Sequence, residues 1–221
     1  MSKDCSFSLE HYKDCLQLAK EKGYLFVNMN SYIDLKDDIK KTAKIIVMRH
    51  DVDHDLSLAL NFAKIEKELG ISATYFIRLH AKYNPYFSQN YLIIKELEKL
   101  GHELGLHHDC DFAALSKEEA EEFFRRDAAI FEKMSGVKLN GISAHEPNKS
   151  AFVITDKYLQ KFGLGYQAYS DIFLKGLKYI SDSSSRWREG CMCNFIKREE
   201  QRLCILTHPF WWFDKSPLEN Y

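Results

Sequence analysis

The sequence predicts an α/β chain folded as a parallel (β/α) barrel of about seven strands, closed or nearly closed. Three observations carry that expectation. Apolar, β-prone runs alternate with segments of helical period along most of the chain. One run, Lys44 to Asp55 (KIIVMRHDVDHD), opens with four apolar residues without alternation, the pattern of a strand covered on both faces. Histidine and aspartate recur just after one apolar run after another, as they do where a barrel gathers a site at the C-terminal ends of its strands. A doubly wound open sheet is the alternative, and no glycine-rich phosphate loop supports it.

In chain order, Ser8 opens a helix carrying Tyr12, Leu16 and Ala19 at helical spacing, and Gly23 closes it before a strand at Tyr24 to Val27. Residues 34–44, rich in lysine and aspartate, read as a solvated connection or short helix. After the Lys44 to Asp55 strand, Asp55 caps a helix with Leu58, Phe62, Ile65 and Leu69 on one face, ended by Gly70. Ser72 to Leu79 is the next strand. Ile93, Leu97 and Leu100 mark a helix closed by Gly101, and His102 to Leu106 is a short strand. Ser116 and Glu119 form a capping box for a helix bearing Ala120, Phe124, Ala128 and Phe131. Weaker strands follow at 141–144, 166–169, 177–180 and 203–206, with a helix around 155–162.

A chain of 221 residues without a linker or repeat fits one domain, residues 1–221. Lys and Arg (31) balance Asp and Glu (32) to a formal charge of -1, which excludes a basic nucleic-acid surface. No apolar stretch is long enough to span a bilayer, and the first residues lack a basic region followed by an apolar run, so a cytoplasmic location is expected. The partner expected is a small-molecule or oligosaccharide substrate. Six cysteines in such a chain read as reduced thiols, and Cys191 with Cys193 lacks the paired spacing of a structural zinc site. All six are therefore assigned to packing.

Period two sends Asp51 and Asp53 to one side of their strand. Asp53, His107 and one further donor would make a facial set with open positions, the arrangement of a catalytic Zn²⁺ or similar divalent ion. Asp51 then stands where a general base is needed. His208, held by Pro209 after the last apolar run, can protonate a leaving group from the other side. His11, His54, His80 and His102 are assigned to hydrogen-bonded core positions.

Arg49-His50-Asp51-Val52-Asp53, Ala73-Thr74-Tyr75-Phe76, Gly101 to His107 (GHELGLH) and Leu206-Thr207-His208-Pro209 together resemble, in order and spacing, the polysaccharide deacetylase family, carbohydrate esterase family 4. The resemblance runs from the central strand to the C-terminus. It implies a distorted (β/α) barrel and metal-dependent removal of an N- or O-acetyl group from a carbohydrate. By position it makes Asp51 the general base, Asp53 and His107 metal ligands and His208 the general acid. The family's second metal histidine, four residues after the first, is here Asp111, and its arginine-proline motif is here His145-Glu146-Pro147. His145 is taken as the third ligand, with Asp109 and Asp111 as alternatives and His108 also nearby. Asp182 to Trp187 is similar to the family's aspartate-tryptophan segment, in which Asp182 orients a neighbour and Trp187 walls the pocket.

The function expected is therefore hydrolysis of an acetyl amide or ester on a sugar, in surface-polysaccharide biosynthesis, with Zn²⁺ as the cofactor. Arg78, Asp182, Arg186, Trp187 and Trp211 are the candidate residues of the substrate site, with packing the competing role for Trp211 and Trp212. The alternatives are a metal-dependent amidohydrolase acting on a non-sugar amide and a catalytically inactive carbohydrate-binding protein.

Overall fold

The structure, a computed structural model, describes residues 5–109, 116–147 and 154–220. Its strands are β1 (Leu25–Val27), β2 (Ile45–Val52), β3 (Thr74–Ile77), β4 (Glu103–Asp109), β5 (Gly141–His145), β6 (Tyr166–Gln167), β7 (Lys178–Ser181) and β8 (Arg202–Thr207). All pairings are parallel, in the order β6-β5-β4-β3-β2-β8-β7. Strand β1 lies along Ile45 to Val47 of β2, and β3 takes up the same edge from Arg49 onward. Among the described residues no pairing joins β6 to β7, so the sheet curls into a distorted barrel that stays open on one side.

The helices are α1 (Leu9–Glu21), α2 (Met29–Asp34), α3 (Asp37–Thr42), α4 (Leu56–Glu68), α5 (Ser88–Lys99), α6 (Lys117–Ser135), α7 (Asp156–Phe162), α8 (Asp171–Leu174) and α9 (Met192–Lys197). Their starts follow the sequence signals. Ser8 accepts from the His11 amide at 3.1 Å, Asp55 from the Ser57 amide at 2.7 Å, and Ser116 and Glu119 close the capping box. The lysine- and aspartate-rich connection of residues 34–44 holds one short helix, α3, and α2 comes just before it.

Every residue of β2 is buried. Its even positions, Ile46, Met48 and Val52, pack with Tyr12 and Leu16 of α1 and Phe62 of α4. Its odd positions, Ile45 and Val47, face the barrel interior with Phe76, Tyr166 and Phe173. Gly105 belongs to that crowded interior, since a Cβ there would sit 2.6 Å from the Phe76 ring and 2.8 Å from the Gly141 carbonyl oxygen.

The buried face of α4 is Leu56, Ala59, Phe62, Ala63 and Glu66, turned from the Leu58-Ile65-Leu69 stripe that the apolar pattern suggested. The difference is a carboxylate. Glu66 is fully buried, and accepts from Tyr12 Oη at 2.7 Å, Tyr75 Oη at 2.5 Å and His50 Nε2 at 2.8 Å. The other nitrogen of His50 meets Thr207 Oγ1 at 2.7 Å. His102 is the expected core histidine. Its Nδ1 accepts from the Ala73 amide at 3.3 Å and its Nε2 donates to the Ala63 carbonyl at 3.2 Å. Burial alone would raise the Glu66 pKa, but the nearby imidazoles of His50 and His102 and the hydrogen bonds outweigh it and hold Glu66 below the ordinary carboxylate value.

Glu66→Leu strands two phenols and an imidazole and is expected to lose on the order of 3–5 kcal/mol in urea denaturation. Because the folded pKa is depressed, the stability that ionised Glu66 supplies is complete above the ordinary carboxylate pKa and disappears as pH falls through the folded value. The stability gap between wild type and Glu66→Gln should therefore narrow on acidification, and a gap constant with pH would contradict this account.

Candidate active site

The C-terminal ends of the strands open into a cleft of about 1270 Å³, lined among others by Asp51, Asp53, His107, His145, His208 and Trp211. Strand β2 carries Asp51 near its end, and β4 runs further than its apolar residues alone suggest, so His107 and Asp109 lie within it instead of after it. Pairing continues because parallel neighbours satisfy the backbone whatever the side chain. Period two then decides which side chains enter.

On β2 the interior row continues from Val47 to Arg49 and Asp51. Arg49 is fully buried; its Nη2 donates to Asp51 Oδ2 at 3.1 Å, its Nη1 to the Ala168 carbonyl at 3.1 Å, and its guanidinium lies 4.7 Å from the Tyr169 ring centroid. Ser143 Oγ, from β5, donates to the same Asp51 oxygen at 3.3 Å. Burial works against the Arg49 charge, but Asp51 beside it reverses the effect and raises its pKa. Asp51 Oδ1 is buried with no hydrogen-bond partner among the described residues. One oxygen of this carboxylate is fixed and the other is available.

His107 follows the same rule on β4. Its Nδ1 lies 3.0 Å from the Ser143 carbonyl oxygen, which can only accept, so Nδ1 carries the proton and Nε2 faces the carboxylates. Nε2 is 3.1 Å from Asp53 Oδ1 and 3.8 Å from Asp51 Oδ2. The 3.1 Å contact lacks hydrogen-bond alignment and leaves Asp53 Oδ1 without a hydrogen bond. Burial lowers the His107 pKa, but Asp51 and Asp53 outweigh it and raise it. Burial likewise acts to raise Asp53, and His107 overcomes it and holds Asp53 well below the usual carboxylate range. Asp53 and His107 are thereby polarised toward one shared positive charge.

The candidates for a third ligand differ in what already holds them. His108 points to the helix side, 5.5 Å from the Phe124 ring, and burial drives its pKa down to about 3. Asp109 accepts from Arg78 Nε at 2.9 and 3.1 Å and also from Arg78 Nη2. Burial pushes Asp109 up, but His145 and Arg78 bring it down to about 2. Asp111 lies outside the described residues. His145, at the end of β5, sets its ring 5.3 Å from that of His107, with Nδ1 buried, 3.3 Å from Asp109 Oδ1 and without a hydrogen bond. Three buried polar atoms without partners, on Asp51, Asp53 and His145, together with an imidazole nitrogen turned toward them, are oxygen and nitrogen donors of the kind that suit a divalent ion such as Zn²⁺. The ligand atoms of Asp53, His107 and His145 do not, however, all lie within 4.8 Å of one another.

Across the cleft, fully buried Asp182 accepts from the His208 amide at 3.0 Å, from His208 Nδ1 at 2.6 Å and from Trp212 Nε1 at 2.8 Å. His208 Nε2 is thereby turned toward the cleft, 3.9 Å from Asp53 Oδ2. Burial lowers the His208 pKa, yet Asp182, with Asp51 and Asp53, more than compensates and lifts it to about 9. Trp187 and Trp211 line the cleft, and Trp211 Nε1 is buried without a hydrogen-bond partner among the described residues. Trp212 belongs to the core. Arg78 lines the cleft, clamped to Asp109. Arg186 is exposed and outside the lining, and Arg188 lines it instead.

His54 is not a core histidine. It is exposed at the cleft, 4.5 Å from the Phe210 ring, because it follows the end of β2. Arg49 and Ser143 were not among the candidates from sequence. Arg49 shares the period-two row of Asp51 and Asp53, a signal that was present, whereas nothing near Ser143 marks it out.

No family model matches the chain, and no curated protein matches its sequence. Solved structures do match. The Bacillus anthracis protein BA3943, described as a CE4 family pseudoenzyme, superposes with a TM-score of 0.51 at 16% identity over 81% of this chain and 58% of that one. The Streptococcus pyogenes deacetylase PplD in complex with acetate gives 0.51 at 17% identity, over 76% and 70%. The fold is that of carbohydrate esterase family 4. IcaB from Ammonifex degensii shares it at a TM-score of 0.50 and 19% identity, over 70% and 72%. The chain spans less than three-fifths of the BA3943 structure, 58% of its length. A BA3943 mutant with restored enzymatic activity superposes at 0.52, so this esterase fold occurs in active and inactive forms.

Removing Arg49 takes away the cationic partner of Asp51 in the interior. Arg49→Met is expected to cost on the order of 3–5 kcal/mol in chemical denaturation, and Arg49→Met/Asp51→Leu to recover most of it. A double variant no more stable than the single one would rule out the pair as the cause.

Proposed function

We propose that this protein is a metal-dependent hydrolase that removes an N- or O-acetyl group from a carbohydrate. The observation that carries the reading is a carboxylate with one free oxygen, Asp51, facing a carboxylate-anchored histidine, His208, across a cleft whose floor holds Asp53 and His107. Asp53, His107 and His145 would hold the ion, with Zn²⁺ the first candidate. A divalent ion there supplies Lewis acidity toward an acyl carbonyl and a water molecule.

The remaining chemistry belongs to side chains. Asp51 Oδ1 takes the proton of the attacking water, while Arg49 and Ser143 keep the carboxylate from rotating. His208 carries a proton on Nε2 and gives it to the departing amine or alcohol, and Asp182 holds the imidazole in orientation and balances its charge. Arg78 fixes Asp109 beside His145. Trp187 and Trp211 offer flat apolar surfaces to a sugar ring. Arg188 stands where Arg186 was expected to meet substrate. The Arg-His-Asp-Val-Asp segment supports a role in surface-polysaccharide biosynthesis at a cytoplasmic site, and no helix of the described residues is long and apolar enough to cross a membrane.

One observation favours a second reading, an inactive carbohydrate-binding protein: the third ligand stands apart from the other two, and a pseudoenzyme shares the fold. Metal content and acetate release separate the two. Asp53→Ala and His107→Ala are expected to lose the cleft metal and all turnover, and His145→Ala to weaken both. Asp51→Asn and His208→Ala should keep the metal and lose roughly 10²–10⁴-fold in kcat. Sugar binding indifferent to chelation, with no acetate released, would establish the second reading.

A further inference from the structure

Outside the cleft, the described residues contain one group of histidine, cysteine and acidic side chains whose ligand atoms all lie within 4.8 Å of one another: Cys5, His11, Cys191 and Cys193. Cys5 Sγ is 3.4 Å from Cys193 Sγ, and His11 Nε2 is 3.2 Å from Cys191 Sγ. Cys15 Sγ lies 3.5 Å from the same His11 nitrogen. None of these residues lines the cleft. The sequence assigned all of them to packing, since Cys191-x-Cys193 is not a paired zinc spacing. The fold supplies the other half of the pattern by laying the start of α1 against α9, more than 180 positions later in the chain.

We propose that Cys5, His11, Cys191 and Cys193 form a closed, structural site for a thiophilic divalent ion of the zinc class, separate from the cleft. A tetrahedral ion with metal–sulfur bonds of about 2.3 Å sets its donors on the order of 3.5–3.8 Å apart. The observed separations of 3.4 and 3.2 Å need only a small expansion to reach that. Three thiols and one imidazole give the Cys₃His set, with no open position for water and therefore no chemistry of its own. On binding, the three thiols release their protons and His11 coordinates through Nε2 as a neutral imidazole. Cys15 remains a thiol whose S–H can point at the bound sulfurs.

The position explains what the ion would secure. Just after Cys5, Phe7 stacks on Trp187 at 6.4 Å and meets Trp212 edge-on at 5.1 Å, and the Leu9 amide donates to the Phe213 carbonyl at 2.8 Å. Trp212 holds Asp182, and Asp182 holds His208. Pinning Cys5 and His11 to α9 fixes the segment that backs both the tryptophan wall and the histidine.

The test is cobalt titration of reduced, full-length protein stripped of metal. Thiolate-to-cobalt charge-transfer absorption is expected in wild type, displaced by Zn²⁺, kept in Cys204→Ser and lost in Cys191→Ser/Cys193→Ser. In Asp53→Ala/His107→Ala, with the cleft disabled, the same absorption should saturate at one equivalent, and chelation should lower the Tm. The cleft offers only oxygen and nitrogen donors, so this sulfur signature stands whether or not the cleft binds metal or releases acetate. Wild-type protein that shows no such absorption overturns the site. So does a Cys5–Cys193 disulfide that, once reduced, leaves thiols unable to take up cobalt.

Discussion

Arg49 and Asp51 meet at 3.1 Å inside a parallel sheet where neither reaches solvent, and much of the molecule is arranged to make that tolerable. Desolvating two ions costs several kcal/mol each, and their mutual attraction offsets it only when the remaining donors and acceptors are also met. The Ala168 carbonyl, Ser143 and the face of Tyr169 meet part of this need, with Arg49 Nε and Asp51 Oδ1 left without a hydrogen bond among the described residues, and all three come from the β5 and β6 side of the barrel. Reaching them from β2 requires the sheet to curl. The curl in turn brings the ends of β2, β4, β5 and β8 to one cleft.

The chain uses buried carboxylate–histidine contacts on the helix side of the sheet and at the cleft, with opposite outcomes. Glu66 at the helix side has its oxygens met by two phenols and His50, and Asp182 has both oxygens met by His208 and Trp212. These networks are complete, so they position side chains and, at Asp182, set the charge of the histidine held there. Asp51, Asp53 and His145 each keep one buried atom unmatched. Unmatched polar atoms are expensive to bury, and their convergence on one cleft separates a place that receives something from places that only hold.

Much of this was legible in the sequence, for reasons that differ by residue. The apolar run of β2, the caps at Ser8, Asp55 and Ser116, and the row of Asp51 and Asp53 are local patterns, and local patterns survive folding. The polar side chains of His107 and Asp109 suggest the end of a strand, whereas parallel pairing continues through them. Glu66 escaped because a lone carboxylate on an apolar helix face looks solvated until its partners on β2, β3 and α1 are in place. His11 and Cys191 escaped for the same reason at longer range. What they share depends on two segments meeting, and neither segment announces the other.

Strand β8, which carries His208, is the inner neighbour of β2, paired along six residues from Ile45 to His50 and bonded at His50 to Thr207, 157 positions away. During synthesis the central strand is therefore made early and completed late. Until β8 arrives, β2 presents an open edge, and its buried row of charges has water where it will later have neighbours. Contacts this distant in sequence are slow to form because closure entropy must be met before they return any stability. Strand β8 leaves the ribosome after the strands it joins and turns a half-built sheet into a site, so folding and the assembly of the acid side of the cleft are one event.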